Sequence, residues 1–221
     1  MACDTDGNLY YWTFDHMQSK KIPYYKIKSN INTNIDNNTN SNKKNFFCND
    51  MCYLNNTGVI ATISNKNIAI YDLLMPKKNR IINEIYIGGD IILPLFSEKS
   101  LIVGNGDSPG GISFVDLRKM EVIKNYQLYI NNDIKSNVKI MDMKLSENEN
   151  YLVSYGSDYT VKIWDLSDKY DPLLIESLQP FNNVDNKEKN NEIFKGKIKL
   201  SSGYLFVSKD NYIKMLRNNI I

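Results

Sequence analysis

Tyr151-Leu-Val-Ser-Tyr-Gly-Ser-Asp158, followed by Tyr-Thr and then Val161-Lys-Ile-Trp-Asp165, is the stretch that decides the fold. Aromatic and β-branched residues lie on both sides of a central Gly-Ser-Asp-Tyr run, a composition typical of strands. Glycine, serine and aspartate supply the backbone freedom and the side-chain hydrogen bonds of tight turns. The stretch therefore predicts a strand, a short turn and a second strand.

The same hairpin template recurs four more times along the chain. All fifteen residues in its three apolar columns are apolar, against 42% of the whole chain. The copies are Asp6–Trp12, Asn65–Asp72, Gly111–Asp116 (reached from Asp107 with a two-residue insertion) and Asp210–Leu216. The columns are Leu9, Ile68, Ile112, Val161 and Ile213; Tyr11, Ile70, Phe114, Ile163 and Met215; and Trp12, Tyr71, Val115, Trp164 and Leu216. Matching first strands are predicted to begin at Val59, Leu101, Tyr151 and Tyr204.

The closing Trp164-Asp165 pair resembles the signature of the WD repeat, whose blades run about 40–45 residues. The closing residues lie 59, 44, 49 and 52 positions apart, and the largest excesses coincide with polar insertions. The predicted fold class is therefore all-β, a WD-repeat β-propeller that forms one partial domain over residues 1–221. The structural WD positions are Asp6, Trp12, Tyr71, Asp72, Asp107, Val115, Asp116, Asp158, Trp164, Asp165, Asp210 and Leu216.

The repeat predicts four complete blades and one half blade. Each complete blade starts with its outer strand, and the half blade holds only a final hairpin. The spans are about 22–73, 81–117, 121–166 and 172–217, with the half blade at 1–14. Two Asn-rich insertions, 29–45 and 182–191, are predicted to be disordered because they hold too little apolar surface to offset the entropy of ordering.

An incomplete ring is expected from this arrangement. A propeller closes by bringing its first and last blades together, and a chain that starts within a blade leaves that blade half built. An exposed apolar sheet edge promotes aggregation. We therefore expect either the rest of a longer chain or another chain to complete the ring; the blade number and the binding face stay open.

Composition excludes several classes of function. The net charge is +2, from 27 basic and 25 acidic residues, which gives no reason to expect a nucleic-acid partner. No apolar stretch is long enough for a membrane span, so no direct membrane insertion is expected. The N-terminus lacks the pattern of a signal peptide. Three cysteines are too few for a disulfide framework, so a cytoplasmic location is expected.

No motif for catalysis, metal binding or cofactor binding emerges. Cys48 and Cys52 share a strand face, but zinc needs about four ligands and the chain has a single histidine, His16. The Gly-rich run 104–111 leads into a strand, whereas a phosphate-binding loop leads into a helix. We therefore interpret Cys48 and Cys52 as buried thiols and the Gly-rich run as a long hairpin turn. We predict no enzyme, with no catalytic, metal or cofactor residues.

A more specific resemblance covers nearly the whole chain. Cys3–Trp12, Asn67–Leu73, Leu101–Arg118 and Tyr151–Leu166 resemble, in order, hairpins of the C-terminal propeller of the rabconnectin (DmX-like) family. The resemblance implies a non-catalytic scaffold in assembly or regulation of the vacuolar proton pump, the V-ATPase, and thus in vacuolar acidification. It further implies soluble-sector or assembly-complex subunits as protein partners, and a location peripheral to endomembranes.

The sequence also departs from the usual WD pattern. WD blades usually carry a Gly-His pair whose histidine bonds the turn aspartate, and His16 lies in an outer connection. The turn aspartates are therefore expected to cap N–H groups within their own turns. Two alternative functions stay open: a WD scaffold of an unrelated complex, such as a ubiquitin ligase or a trafficking coat, and a propeller-based enzyme.

Overall fold

The structure is a computed structural model in which regular secondary structure is entirely antiparallel strand over the described residues. Side chains are described from residue 48 onward; before that, only strand pairing is described. No helix in the described part of the chain is long and apolar enough to cross a membrane. The described residues are 2–3, 8–11, 25–28, 48–54, 58–64, 67–75, 81–97, 99–106, 108–129, 138–168, 170–181, 196–201, 203–209 and 212–217.

Eighteen strands in these ranges form five antiparallel sheets, named A to E in chain order. Sheet A is β1 (Ala2–Cys3), β2 (Asn8–Tyr11) and β3 (Tyr25–Lys28). Sheet B is β4 (Asp50–Tyr53), β5 (Val59–Ile63), β6 (Ile68–Asp72) and β7 (Ile81–Ile85). Sheet C is β8 (Ile91–Leu95), β9 (Ser100–Gly104), β10 (Gly111–Asp116) and β11 (Glu121–Gln127). Sheet D is β12 (Ile140–Leu145), β13 (Tyr151–Gly156), β14 (Val161–Asp165) and β15 (Leu173–Leu178). Sheet E is β16 (Gly196–Ser201), β17 (Tyr204–Lys209) and β18 (Tyr212–Arg217).

The first strands of sheets B to E lie beside one another in chain order. β4 contacts β8, β8 contacts β12, and β12 contacts β16. Within each sheet the strands run outward in sequence order from this inner strand. Four sheets radiating in this way are consecutive propeller blades, which confirms the predicted all-β propeller.

The outermost strand of each blade pairs with a different hairpin from the one predicted. The predicted spans grouped each outer strand with the hairpin that follows it in the chain. In the structure β3 pairs with β2, β7 with β6, β11 with β10, and β15 with β14, each with the hairpin before it. The reason is proximity, because a short turn such as 117–120 joins the third strand to the fourth, and short connections favour antiparallel neighbours.

Because of this pairing, the number of strands in each sheet also differs from the prediction. The described strands make three four-stranded sheets and two three-stranded ones, whereas four complete blades and a half blade were expected. The predicted half blade at 1–14 is joined by β3. Three first strands of the hairpins begin where predicted, at Val59, Tyr151 and Tyr204, and β9 begins one residue early at Ser100. The predicted insertions 29–45 and 182–191 lie outside the described residues.

The core lies between the faces of neighbouring sheets. One cluster joins sheets B and C through residues such as Ile63, Leu101 and Val115, which are fully buried. The cluster between sheets C and D contains Phe114, whose ring makes edge-on contacts with Tyr126 and Tyr170 at centroid distances of 6.4 and 5.4 Å. A third cluster joins sheets D and E. Sheets B to E are thus stabilised mainly by apolar burial against one another.

Tight turns complete the sheets. The Gly-rich run between β9 and β10 is a hairpin turn, in agreement with the prediction. Gly110 has φ +75° there, and a Cβ at this position would collide with the carbonyl oxygen of Val138. The position therefore requires glycine for two reasons, its left-handed backbone and its close approach to the next connection.

Candidate interaction face

The topology gathers two kinds of connection at one face of the propeller, which we call the upper face. In sheets B to E the inner strand begins at this face and the second strand ends there, so the described turns between second and third strands lie there as well. The described turn residues are 64, 67, 105–106, 108–110 and 157–160, and the described parts of the connections are 86–90, 128–129, 138–139 and 179–181. The opposite, lower face carries the turns between the third and fourth strands. Loops held on a rigid frame are where binding function concentrates.

Side-chain carboxylates hold successive inner strands together near the upper face. The N–H of Ile92 in sheet C donates to Asp50 Oδ2 of sheet B at 3.1 Å. The N–H of Ile198 in sheet E donates to Asp142 Oδ2 of sheet D at 3.0 Å. Each carboxylate also accepts the N–H of its own following residue. Hydrogen bonds to a charged acceptor are stronger than neutral ones, so these contacts fix the spacing between blades.

Asn105 makes the corresponding link between sheets C and D. Its Oδ1 accepts the N–H of Ile140 at 2.9 Å, and its Nδ2 donates to the Ile140 carbonyl at 2.6 Å. The same Nδ2 donates to Asp90 Oδ2 at 3.1 Å, and Asn49 Nδ2 donates to the Gly89 carbonyl at 2.8 Å. We call Asp50, Asn105 and Asp142 the inter-blade latches.

Tyr129 and Trp164 share a hydrogen-bond partner, Ser154, beside the turn that contains Asp158. The Tyr129 hydroxyl lies 3.1 Å from Ser154 Oγ, and Trp164 Nε1 donates to the same oxygen at 2.9 Å. Asp158 closes the turn between β13 and β14. Its Oδ1 accepts hydrogen bonds from the N–H and the hydroxyl of Thr160 at 3.0 and 2.7 Å. Asp158 therefore caps its own turn as expected. Burial is the main cause that raises the pKa of Tyr129, so the hydroxyl remains a neutral donor.

Two lysines lie over aromatic rings near this face. Lys162 Nζ is 4.3 Å from the Tyr129 ring centroid and donates to the Leu128 carbonyl at 3.3 Å. Burial lowers the pKa of Lys162. Lys209 Nζ is 4.1 Å from the ring centroid of Tyr159. Cation–π contacts of this kind stabilise a partly desolvated cation, which accounts for charged residues at the ends of core strands.

The WD aspartates on the lower face share one geometry. Asp72, Asp116 and Asp165 each end a third strand and accept the N–H two residues later at 2.9, 2.7 and 2.7 Å. Asp116 also forms a two-pronged bond with Arg118, and this bond is the main reason that its pKa falls to about 2. The hydroxyl of Ser167 is the main cause that lowers the pKa of Asp165. These aspartates start the turn into the outer strand.

The remaining WD positions are core residues where the structure describes them. Tyr71, Val115 and Trp164 are 1%, 0% and 7% exposed, and Leu216 is half-buried against the cluster between sheets D and E. The other four positions lie outside the described residues: Asp6, Trp12, Asp107 and Asp210. Sequence reasoning missed the latches. A signal existed for two of them, because Asp50-Met-Cys-Tyr53 and Asp142-Met-Lys-Leu145 share an Asp-Met pair that begins three residues before the last residue of the inner strand.

The cysteines have no reactive setting in the described structure. Cys48 and Cys52 are half-buried, less than the buried thiols that were predicted, and Cys48 Sγ donates to the Asp50 carbonyl at 3.3 Å. Burial raises the pKa of Cys52 to about 12, with the Asp50 charge adding to it. A thiol with so high a pKa stays protonated and is a poor nucleophile. No group of three or more His, Cys, Asp or Glu residues within the described ranges could hold a metal ion.

Comparison with known proteins supports the fold. No protein-family model matches the chain, and no curated protein matches it in sequence. The β-propeller domain of Cps50 (Swd1) from Myceliophteria thermophila superposes with a TM-score of 0.55 at 12% identity, over 75% of this chain and 54% of that one. Raptor from Chaetomium thermophilum superposes with a TM-score of 0.61 at 12% identity, over 90% of this chain and 17% of that one. The chain thus spans about half of the first protein and a smaller part of the second, and both are similar in fold.

Proposed function

We propose that this protein is a non-catalytic interaction scaffold that acts in assembly or regulation of the V-ATPase. The pump-related part of the proposal is supported by the order of four hairpin motifs, which resembles that of the rabconnectin family. The proposal places the protein in the cytoplasm, peripheral to endomembranes through its partners. V-ATPase soluble-sector subunits or subunits of the assembly complex are the proposed partners.

The observation that carries the scaffold role is the upper face. The latches and the Tyr129–Ser154–Trp164 network fix the loops there relative to one another, so the face can present a constant shape to a partner. Rigid presentation lowers the entropic cost of binding. Tyr86 stands on the connection into β8 with 85% of its surface exposed. An exposed tyrosine is among the residue types that most often dominate protein interfaces.

The polar groups of this face have structural tasks. Asp158 and Thr160 close a turn, and Ser154 joins Tyr129 to Trp164. The carboxylates of Asp50 and Asp142 accept main-chain N–H groups of a neighbouring blade. Since these groups are already engaged in stabilising bonds, the described part of the face is better suited to recognition than to proton transfer.

Affinity purification tests the proposal directly. The full-length gene product, tagged at its native locus, is recovered from cell extract and its partners are identified by mass spectrometry. We expect soluble-sector V-ATPase subunits, with recovery lowered at least about tenfold by Tyr86→Ala if Tyr86 is a dominant contact. Leu74→Ala is the matched control, because Leu74 is 75% exposed on the lower face.

The result distinguishes the competing functions. Absence of every soluble-sector subunit from the recovered proteins would overturn the V-ATPase role. Recovery of ubiquitin-ligase or trafficking-coat subunits instead would assign the scaffold to an unrelated complex. Equal loss of partners with Tyr86→Ala and Leu74→Ala would move the binding site away from the upper face.

A further inference from the structure

A groove opens between sheets B and C at the lower face. It has a volume of about 460 Å³, which is within the range of sites that bind ligands. Its walls are mainly apolar. They include Leu54, Ile70 and Ile82 of sheet B and Pro94, Leu117 and Met120 of sheet C. The groove is therefore suited to an apolar side chain that comes from a ligand.

Between sheets C and D the corresponding space is filled by the chain itself. Phe114 is the counterpart of Ile70 in the repeated hairpin, and the ring of Tyr170 packs edge-on against it at a centroid distance of 5.4 Å. Tyr170 belongs to the turn between β14 and β15. Its neighbour Asp171 accepts a hydrogen bond from the Tyr126 hydroxyl. The occupant in that interface is thus an aromatic ring with a carboxylate beside it.

The turn at the same place in sheet C is shorter. Residues 166–172 separate β14 from β15, whereas only residues 117–120 separate β10 from β11. The shorter turn contains no aromatic residue, and its last residue, Met120, is part of the groove wall. Within the described residues the groove therefore has open space where the next interface holds the Tyr170 ring.

Phe96 supplies an aromatic surface at the rim of the groove. It lines the groove and is 55% exposed. Glu149 of sheet D holds the turn that carries it, because its two carboxylate oxygens accept the N–H groups of Phe96 and Ser97 at 2.8 and 3.1 Å. Aromatic rings pack favourably edge to face. An incoming ring would therefore meet an aromatic partner that is already fixed in place.

The charge at the groove is positive. Lys99 is the one charged residue among the described lining residues, and it is exposed. The ion pairs of the described residues do not include it. A carboxylate next to the incoming ring would complement this charge, as Asp171 accompanies Tyr170 in the next interface.

We propose that this groove is a second docking site, which receives an aromatic side chain of a partner protein together with an acidic residue next to it in sequence. The ring would pack between Ile70 and Phe96, and the carboxylate would pair with Lys99. Aromatic anchors in apolar pockets dominate many protein interfaces. The site lies on the lower face, so it goes beyond the scaffold role assigned to the upper face.

A second copy of this chain is a poor occupant. The docked segment needs an exposed aromatic residue beside an acidic one. None of the exposed aromatic residues in the described ranges has an acidic neighbour in sequence: Tyr53, Tyr86, Phe96, Tyr204 and Tyr212. The ring and its carboxylate are therefore assigned to a different protein.

Methyl NMR on the unmutated full chain tests the site. The probe is a peptide of residues 168–173 with blocked ends, because this segment fills the corresponding space between sheets C and D. The protein carries labelled methyl groups on Ile, Leu and Met. We expect saturable shifts of the Ile82, Leu117 and Met120 signals, with those of Leu174 and Ile175 in β15 unchanged.

Changes in the peptide and in Lys99 test the proposed contacts. A peptide with Tyr170→Ala should bind at least about tenfold more weakly, since it lacks the anchor. A peptide with Asp171→Asn should bind about threefold more weakly to the parent, the usual range for an exposed ion pair. Lys99→Gln should abolish the difference between these last two peptides, because both changes remove the same pair. Lys199→Gln, at an exposed lysine of sheet E, is the matched control and should preserve it.

Two isoleucines provide a matched test of location. Ile82 in β7 and Ile123 in β11 lie at the same register shift and are 54% and 40% exposed, but only Ile82 lines the groove. Ile82→Glu should weaken peptide binding at least about tenfold, because it places a second carboxylate in the apolar wall. Ile123→Glu should leave binding unchanged.

The proposal is overturned if the two glutamate variants bind the peptide equally, if the shifts fall on Leu174 and Ile175, or if no saturable binding occurs. Shifts of the groove signals that depend on protein concentration without peptide would identify a second copy as the occupant and would overturn it as well. None of these outcomes bears on the V-ATPase proposal, which is decided by the proteins recovered in affinity purification.

Discussion

At the scale of single residues, Tyr129 ties the connection into β12 to two strands of sheet D. A phenol hydroxyl from the connection into β12 reaches Ser154, which also accepts the indole N–H of Trp164. The same hydroxyl lies 3.4 Å from the Thr160 carbonyl. A buried network whose members are all bonded rigidifies its surroundings. The strand, the turn and the preceding connection are thereby joined at one point.

Tyr129→Phe should lower the free energy of unfolding by about 1 kcal/mol, since it keeps the ring but removes the neutral bond to Ser154 and the longer one to the Thr160 carbonyl. Ser154→Ala should cost more, because it leaves the indole N–H of Trp164 without its acceptor and also removes the Ser154 partner of the Tyr129 hydroxyl. Urea unfolding of the two single variants and the double variant measures this difference. Strictly additive losses would show that the two residues do not interact.

Trp164→Ala should lower the free energy of unfolding by about 3–5 kcal/mol, the usual cost of removing a large aromatic side chain from a core. The ring is 7% exposed within the cluster between sheets C and D. Thermal melting followed by circular dichroism is the measurement, with Trp164→Phe as a milder control. A melting temperature equal to that of the parent would contradict the placement of this residue.

Asp116 should make stability depend on pH in the acid range. Arg118 holds its folded pKa at about 2, below the unfolded value of about 3.9. The stabilisation is therefore complete above about pH 4 and is lost as the pH falls toward about 2. Denaturant unfolding between these values should show a steeper loss for the parent than for Asp116→Asn. Identical pH profiles would rule out this pair as the cause.

At the scale of strands, the hairpins could be predicted and their outer neighbours could not. The second and third strands of sheets B to E are joined by short turns, so local alternation and turn residues were enough to identify them. The outer strands β7, β11 and β15 are partly exposed on both faces, and their composition fits either flanking hairpin. The length of the connection decides which hairpin an outer strand joins, and the repeated sequence pattern carries no information about that length.

Functional positions inside the repeated hairpins could likewise be predicted, and positions that depend on contacts between distant segments could not. Tyr71, Val115 and Trp164 recur at a fixed position in the hairpin, so their core location followed from the pattern. Tyr129 lies 25 residues from Ser154 in sequence, and nothing in the local sequence marks it. The latches act on main-chain groups 35 to 56 residues away. Interactions between distant segments leave no periodic signal in a single sequence.

Removal of residues 29–45 should change the free energy of unfolding by less than about 1 kcal/mol, since loop length enters the closure entropy only logarithmically. These residues lie outside the described structure, and the prediction rests on their Asn-rich composition. Chemical denaturation of the shortened protein is the test. A large loss of stability would mean that the segment contributes packed structure.

At the scale of the whole molecule, the blades form a series in which each contacts its neighbours. In such arrays stability is the sum of blade terms and interface terms. Within the described residues sheet E packs against sheet D through one apolar cluster, and Asp142 contributes a hydrogen bond to that interface.

Asp142→Ala should weaken the last interface specifically. Asp142 is 3% exposed and accepts the N–H of Ile198, and loss of a charged acceptor from a buried N–H costs about 1–3 kcal/mol. Hydrogen exchange should speed up at Ile198 in this variant and at Ile92 in Asp50→Ala, the matched change between sheets B and C. Unaltered exchange at both amides would show that the latches do not hold the blades.

The latches affect how far the sequences of the blades can diverge in evolution. Asp50, Asn105 and Asp142 each accept an N–H group that belongs to the main chain of the next blade. Every amino acid except proline offers that group, so the bond needs no particular side chain at positions 92, 140 and 198, where only core packing restricts the replacement. Neighbouring repeats can therefore accumulate substitutions independently while the joint between them persists, which lets a chain retain the propeller long after its repeats have ceased to resemble one another.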